Sequence, residues 1–130
     1  MKRIFLLLVF LVTQIRAQDW RLERAESGEK IFVDYAPKLI VVSGKKMVAF
    51  QMKSEFEEDM KAVTTHYFKY SKGQWFWAFK SQIEYNWDGT TRFAQVKEEP
   101  ELEWQLYKFN NSVLESIRLT RARKILGIQN

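Results

Sequence analysis

The sequence predicts an α+β fold, an antiparallel β-sheet of five to six strands with a C-terminal α-helix packed on one face. Most of the chain alternates apolar and polar residues with the period of two that is typical of strands. Near the end this alternation stops and a helix-capping pattern begins. A helix that follows strands joined by short turns covers one face of their sheet, so these two observations predict the fold class.

A hairpin between residues 62–70 and 75–85 is the predicted centre of the sheet. The first segment is rich in residues that favour strands, and the short connection at residues 71–74 contains a glycine. Along the second segment, one face is expected to carry alternate residues: Trp75, Trp77, Phe79, Ser81, Ile83 and Tyr85. We expect Trp75 and Trp77 to form the core beneath the helix; the alternative is an aromatic surface for apolar or planar ligands.

Further strands are predicted on both sides of this hairpin, at residues 20–24, 30–34, 47–56, 90–96 and 103–107. Residues 38–42 are expected to form a short extended or irregular piece. Asp34 should end its strand because Pro37 follows closely and cannot donate to a sheet. Asp88-Gly89 is a strong hairpin signal.

The C-terminal helix is predicted from Ser112 and Glu115, whose spacing is that of a capping box. Its sheet-facing arc is expected to consist of four apolar residues: Val113, Leu114, Ile117 and Ile125. Basic residues then cluster in the later turns: Arg118, Arg121, Arg123 and Lys124. They complement the helix dipole, or they form a basic surface for an acidic partner or anionic lipid. With Trp87, which we expect to be exposed in its turn, they are the candidate partner-binding residues.

The start of the chain is typical of an export signal. Residues 1–17 combine a basic start, a nine-residue apolar run at residues 4–12 and a small residue, Ala17, suited to cleavage. Ile15 is large for the processing site and leaves an uncleaved tether as an alternative. Without Lys2, Arg3 and Arg16, 18 of the 21 basic residues remain against 16 acidic ones, a net charge of +2. This charge is too small to indicate a nucleic-acid partner.

We therefore predict an exported protein that is periplasmic, on the cell surface or secreted, with residues 18–130 forming a single domain. Membrane contact is expected only through the export signal, and no oligomeric state is predicted.

Catalytic and metal sites are not predicted. The chain has no cysteine and one histidine, His66, which lies in a strand without a neighbouring acidic residue in sequence. Nucleophile-elbow, phosphate-loop and dinucleotide-binding motifs are absent. The acidic cluster Glu55, Glu57, Glu58 and Asp59 is expected to be a solvated loop, with a divalent-cation site as the alternative. The sequence thus predicts a protein that is not an enzyme and binds no cofactor.

Over nearly its whole mature length, the chain resembles the surface-adhesin protein E family of exported bacterial domains. The resemblance rests on the order of several features: Trp20, Phe32-Val33-Asp34, Lys53-Ser54, Tyr85 to Gly89, Glu103-Trp104 and Ser112-Val113. It implies an antiparallel sheet with a C-terminal helix, and adhesion to extracellular proteins. Family members commonly join the helix to a central strand by a disulfide, and this chain has no cysteine near the matching positions, Tyr70 and Ala122.

The predicted function is that of an exported, non-catalytic binding protein whose partner is an extracellular or envelope protein. The alternative is a periplasmic carrier or sensor that holds a small apolar ligand on an aromatic face.

Overall fold

The computed structural model of the chain describes residues 18–56, 59–109 and 112–128. Within these residues the fold is α+β, an open antiparallel sheet of eight strands with one C-terminal helix. A 3-10 turn, Glu99–Glu101, precedes the last strand. The strands are β1 (Trp20–Glu26), β2 (Glu29–Asp34), β3 (Lys38–Val42), β4 (Lys45–Phe56), β5 (Met60–Ser71), β6 (Gln74–Asn86), β7 (Thr91–Val96) and β8 (Gln105–Leu106), and the helix is α1 (Val113–Leu126). The predicted export signal at residues 1–17 lies outside the described residues.

Three long strands, β4, β5 and β6, form the middle of the sheet, and short strands flank them. β2 pairs with one half of β4 and β3 with the other half. In the same way β7 and β8 pair with different halves of β6. The sheet therefore has eight strands where five to six were predicted, because residues 38–42 pair as a full strand and residues 105–106 pair separately from the edge strand β7.

The central hairpin between β5 and β6 is confirmed. It closes through Lys72 and Gly73, whose φ angles of 53° and 78° place both residues in the left-handed region. A two-residue turn of this kind matches the twist of the strands it joins, and glycine adopts it without steric cost. The β1–β2 and β3–β4 hairpins close in the same way, through Ser27-Gly28 and Ser43-Gly44.

A β-bulge in β6 changes the predicted orientation of half that strand. His66 of β5 pairs with Phe79, while Thr65 pairs with Ser81, so Lys80 is an extra residue without a partner. Because an extra residue shifts the alternation by one, the side chains beyond it point to the opposite face. The prediction that one face carries all six alternate residues is therefore wrong for the last three: Ser81, Ile83 and Tyr85.

The helix packs on the face of the sheet that carries Trp75, Trp77 and Phe79. Its sheet-facing residues follow one another at helical spacing, and we call them the contact stripe: Glu115, Leu119, Ala122 and Leu126. Ala122 is fully buried against the core residues Val48, Phe50, Phe68 and Trp75.

The predicted apolar arc of the helix is wrong at Ile125. Ile125 is 38% exposed and Ile117 is only partly buried, whereas a small residue and a glutamate occupy the buried positions. The side chains of Val113 and Leu114 lie outside the described ones.

The capping residues join the helix start to the preceding segment. The Ser112 hydroxyl accepts a hydrogen bond from the Glu115 backbone N–H at 3.1 Å, as the capping box predicts. The Glu115 carboxylate is buried and accepts a hydrogen bond from the Tyr107 hydroxyl. Tyr107 is fixed in turn, since its backbone N–H donates to the Trp75 carbonyl at 2.9 Å. The first turn of α1 is thereby held to β6.

Candidate functional site

A cleft of about 240 Å³ lies between α1 and the helix-facing side of the sheet. Two charged groups line it, the guanidinium of Arg118 on α1 and the carboxylate of the exposed Glu23 on β1. Aromatic and apolar side chains make up most of the remaining lining: Phe50, Met52, His66, Phe68, Trp77 and Tyr107. The cleft is thus a mainly aromatic depression with one cation and one carboxylate.

The aromatic walls are held by contacts with one another. Phe68 is in edge-to-face contact with Phe50 and with Tyr107, each with ring centroids 5.1 Å apart. The His66 and Trp77 rings are 5.0 Å apart. Edge-to-face pairs at these distances are favourable beyond the area they bury. The walls therefore keep their positions without a ligand.

Strand register explains why these rings meet. Phe50 pairs with His66 across β4 and β5, and Phe68 pairs with Trp77 across β5 and β6. Paired residues of antiparallel strands project to the same face, so all four rings lie on the helix side. The bulge at Lys80 ends this aromatic surface after Phe79, because the following residues alternate with the opposite phase.

Arg118 is the cation of the cleft. Its guanidinium carbon lies 4.5 Å from the centroid of the Phe50 ring, a cation–π contact. Its Nε is buried and has no hydrogen-bond partner among the described residues. Burial lowers the pKa of Arg118, while the negative charge of Glu23 acts in the opposite direction. An arginine nevertheless stays protonated in proteins, so a positive charge is held against the aromatic wall.

His66 contributes a neutral ring to the cleft. Burial lowers the pKa of His66, and the nearby charge of Arg118 lowers it further. Its ring contacts Trp77 at 5.0 Å and Phe79 at 6.0 Å, and it makes no side-chain hydrogen bond to any residue that the structure describes. At neutral pH the imidazole is therefore part of the aromatic wall.

Two of the predicted basic residues hold the helix in place. Arg121 donates hydrogen bonds to the Asp19 carboxylate at 2.8 Å and to the Tyr35 carbonyl at 2.9 Å. Asp19 in turn has its pKa lowered by the hydrogen bond from Arg121. The Arg123 guanidinium carbon lies 5.8 Å from the Tyr70 ring centroid. These side chains connect α1 to the sheet and to the chain before β1.

The remaining predicted residues lie apart from the cleft. Lys124 is exposed on α1, and Trp87 is 69% exposed in the β6–β7 turn, as predicted. The structure therefore brings only Arg118, of the five predicted residues, to the cleft. Sequence reasoning missed Met52, His66 and Tyr107 as site residues. The alternation of residues 47–56 puts Phe50 and Met52 on one face, but only the pairing of β4 with β5 sets them beside His66.

Two other depressions are less suited to binding a ligand. One of about 320 Å³ lies between the β1–β2 turn, the end of β4 and Trp87, and it adjoins residues 57–58, which the structure does not describe. Another of about 510 Å³ lies near the β3–β4 turn, where Lys45, Lys46 and Lys69 join Trp104. Lys45 and Lys46 are exposed, so this second depression has no enclosed apolar wall to orient a ligand.

The described residues contain neither a metal-site cluster nor a membrane-spanning helix. Nowhere in the described part of the chain do three or more histidine, aspartate or glutamate side chains come together as a metal site. Of the predicted acidic cluster, Glu57 and Glu58 lie outside that part, and Asp59 forms an ion pair with Arg92 at 3.3 Å. The described helix is too short and too polar to cross a membrane.

The protein is thus an α+β protein with a mainly aromatic cleft under its terminal helix. Comparison with protein families, with curated proteins and with solved structures finds no match for this chain. The resemblance to the surface-adhesin protein E family stays a prediction.

Proposed function

We propose that this protein is a non-catalytic binding protein that holds a small apolar or planar ligand in the cleft between α1 and the sheet. The observation that carries the proposal is the set of aromatic walls that contact one another and leave an open volume of about 240 Å³ beside them. Ligand sites in proteins are concave, mostly apolar and largely formed before the ligand arrives. The cleft has each of these properties.

The size of the cleft limits the ligand. Sites for drug-sized ligands typically measure about 300–1,000 Å³, and this cleft measures about 240 Å³. A body of one or two rings, or a short branched chain, is therefore the class of ligand that fits. With the export signal that residues 1–17 predict, such a protein would serve as a periplasmic carrier or sensor.

The test is to fill the cleft with a larger side chain. Wild-type protein is expected to show a melting temperature that rises with the concentration of one- or two-ring aromatic compounds, because a ligand of the folded state stabilises it. Met52→Trp places a large side chain in the cleft and should abolish the rise. The matched control is Met60→Trp at the start of β5, which lies outside the cleft lining. If no compound raises the melting temperature, or if Met52→Trp still responds like the wild type, the proposal fails.

A second candidate function is adhesion to an extracellular protein, as the family resemblance implies. The observation that favours it is the edge strand β7, whose six residues are all exposed and include Phe93 at 49% and Val96 at 53% exposure. An open strand edge can take an added strand from another chain. An antibody to the domain would stain intact cells if the protein is on the surface, and periplasmic confinement predicts no staining.

A further inference from the structure

The three arginines of α1 differ in what their guanidinium groups face. Arg121 is engaged by the Asp19 carboxylate and the Tyr35 carbonyl. Arg123 lies against the Tyr70 ring at the other side of the contact stripe. Arg118 contacts the Phe50 ring and lines the cleft, and none of the ion pairs formed by the described residues includes it.

The charges of Glu23, Glu115 and Asp34 oppose the lowering of the Arg118 pKa, but none of the ion pairs formed by the described residues includes Arg118. Glu115, one turn earlier on the helix, points to the Tyr107 hydroxyl, from which it accepts a hydrogen bond. Glu23 lines the same cleft but is exposed to solvent and forms no ion pair with Arg118 in the part of the chain described. Arg118 is partly buried, so desolvation disfavours its charge, and a bound anion would offset that cost. Arg118, which bears this desolvation cost, is also the arginine that lines the cleft.

We infer that the ligand of the cleft is a monocarboxylate with a one- or two-ring apolar body, and that Arg118 binds its carboxylate while the aromatic walls bind its rings. This inference rests on the proposed function. The planar guanidinium fork matches the two oxygens of a carboxylate, and no hydrogen bond between described residues uses an Arg118 donor. The rings of Phe50, Phe68 and Trp77 would then lie around the apolar body.

A single negative charge fits the cleft better than two. Arg118 is the only cation among the lining residues described, and His66 contributes a neutral ring at pH 7. Glu23 repels each negative charge on the ligand, and Arg118 can balance only one of them. A phosphate dianion would require a cluster of cations or backbone donors such as helix N-termini supply, whereas Arg118 lies inside α1.

The experiment compares three probes that share one ring system: 2-naphthoate, its neutral amide 2-naphthamide, and the cation 2-naphthylmethylammonium. Binding of each to the wild-type protein is measured by titration calorimetry at pH 7.5. We expect 2-naphthoate to bind about 10- to 100-fold more tightly than the amide, the range expected for a charge-assisted hydrogen bond. The cation should bind most weakly.

The variants assign this preference to one side chain. Arg118→Met keeps an apolar stem of similar length and should bind the acid and the amide equally. The control Lys124→Met removes the same charge from an exposed position of the same helix and should keep the wild-type preference. Melting temperatures in the absence of ligand show that both variants fold.

Each result that differs from these expectations contradicts a specific part of the inference. If the acid and the amide bind the wild type equally, or if the cation binds best, the carboxylate inference is overturned and the proposed function stands. If Arg118→Met keeps the preference, Arg118 is not the carboxylate-binding group. If none of the three probes binds, the proposed function itself is contradicted.

Discussion

The interface between α1 and the sheet has two parts that share a helix turn but differ in packing. Along the contact stripe the surfaces meet closely: Ala122 and Val48 are both 0% exposed. Beside the stripe, at Arg118, the same surfaces leave the cleft of about 240 Å³. A helix advances 100° per residue, so Arg118 lies about 60° around the helix from Glu115, at the edge of the stripe.

Under the proposed function, this difference separates the residues that hold the fold from those that select a ligand. The small side chain of Ala122 lets the helix backbone approach the sheet, and this closeness fixes the helix so that the neighbouring cleft stays open. An open cleft lined by aromatic rings supports the proposed binding role. Substitutions in the stripe should therefore affect stability, and those in the cleft should affect binding.

The largest effect is expected from Ala122→Asp. A carboxylate placed at a fully buried position has no partner there, and the free energy of unfolding should fall by about 4 kcal/mol. Urea denaturation monitored by tryptophan fluorescence measures the change. The control is Thr120→Asp, an exposed position two residues away on α1, which should change stability by less than about 0.5 kcal/mol. Similar losses in both variants would show that the stripe does not anchor the helix.

Tyr107→Phe should have the next largest effect. It removes the hydroxyl that donates to the buried Glu115 carboxylate, and a hydrogen bond to a charged group contributes about 1.5–3 kcal/mol. Denaturation in urea should therefore occur at a lower midpoint. Tyr85→Phe serves as the control, because the Tyr85 hydroxyl makes no hydrogen bond to the described residues, while its ring contacts Lys61. Equal midpoints for Tyr107→Phe and the wild type would contradict the role given to this pair.

The closed part of the interface was only partly predictable from the sequence. The antiparallel sheet, the terminal helix and the Ser112–Glu115 cap follow from local patterns and are confirmed. The contact stripe was missed because its central residue, Ala122, is small and its first residue, Glu115, is charged. Glu115 is tolerated there because the Tyr107 hydroxyl reaches it from another segment. An apolar pattern within the helix carries no sign of that partner.

The cleft was not predictable because it depends on pairing between strands. The alternation along residues 75–85 continues through Lys80 without interruption, and only the register with β5 reveals the bulge. For the same reason His66 gave no signal as a site residue, since its neighbours Phe50 and Trp77 come from two other strands. The sequence did show the tryptophan face and the basic helix as separate features. Of the predicted basic residues, Arg118 is the one that lines the cleft together with Trp77.

His66 lines the cleft, and its titration should have a smaller effect on the free energy of unfolding. Burial lowers the pKa of His66 below its ordinary value of 6.5, so the unfolded chain binds its proton before the folded protein does. The stabilisation is complete above pH 6.5 and is lost as the pH falls below this value. Asp19 titrates at lower pH, because its pKa is lowered by the hydrogen bond from Arg121.

The measurement is the free energy of unfolding at pH 7.5 and at pH 5.5. Since His66 is the single histidine of the chain, His66→Phe should reduce the difference between the two values. An unchanged difference would mean that the imidazole is not shielded from water by the cleft.

The smallest effects, of opposite sign, are expected for two arginines three residues apart on α1. Arg121→Met removes the ion pair with Asp19, whose side chain is 37% exposed, and the hydrogen bond to the Tyr35 carbonyl, and should destabilise the protein by about 1 kcal/mol. Arg118→Met removes a partly buried charge that forms no ion pair among the described residues. We expect the relieved desolvation cost to outweigh the lost cation–π contact with Phe50, so stability should rise by up to about 1 kcal/mol. Urea denaturation of both variants measures the contrast. A gain in stability with a loss of carboxylate preference would mark Arg118 as a residue kept for binding at the expense of stability, whereas a loss in both variants would place it with Arg121 among the residues that hold the helix.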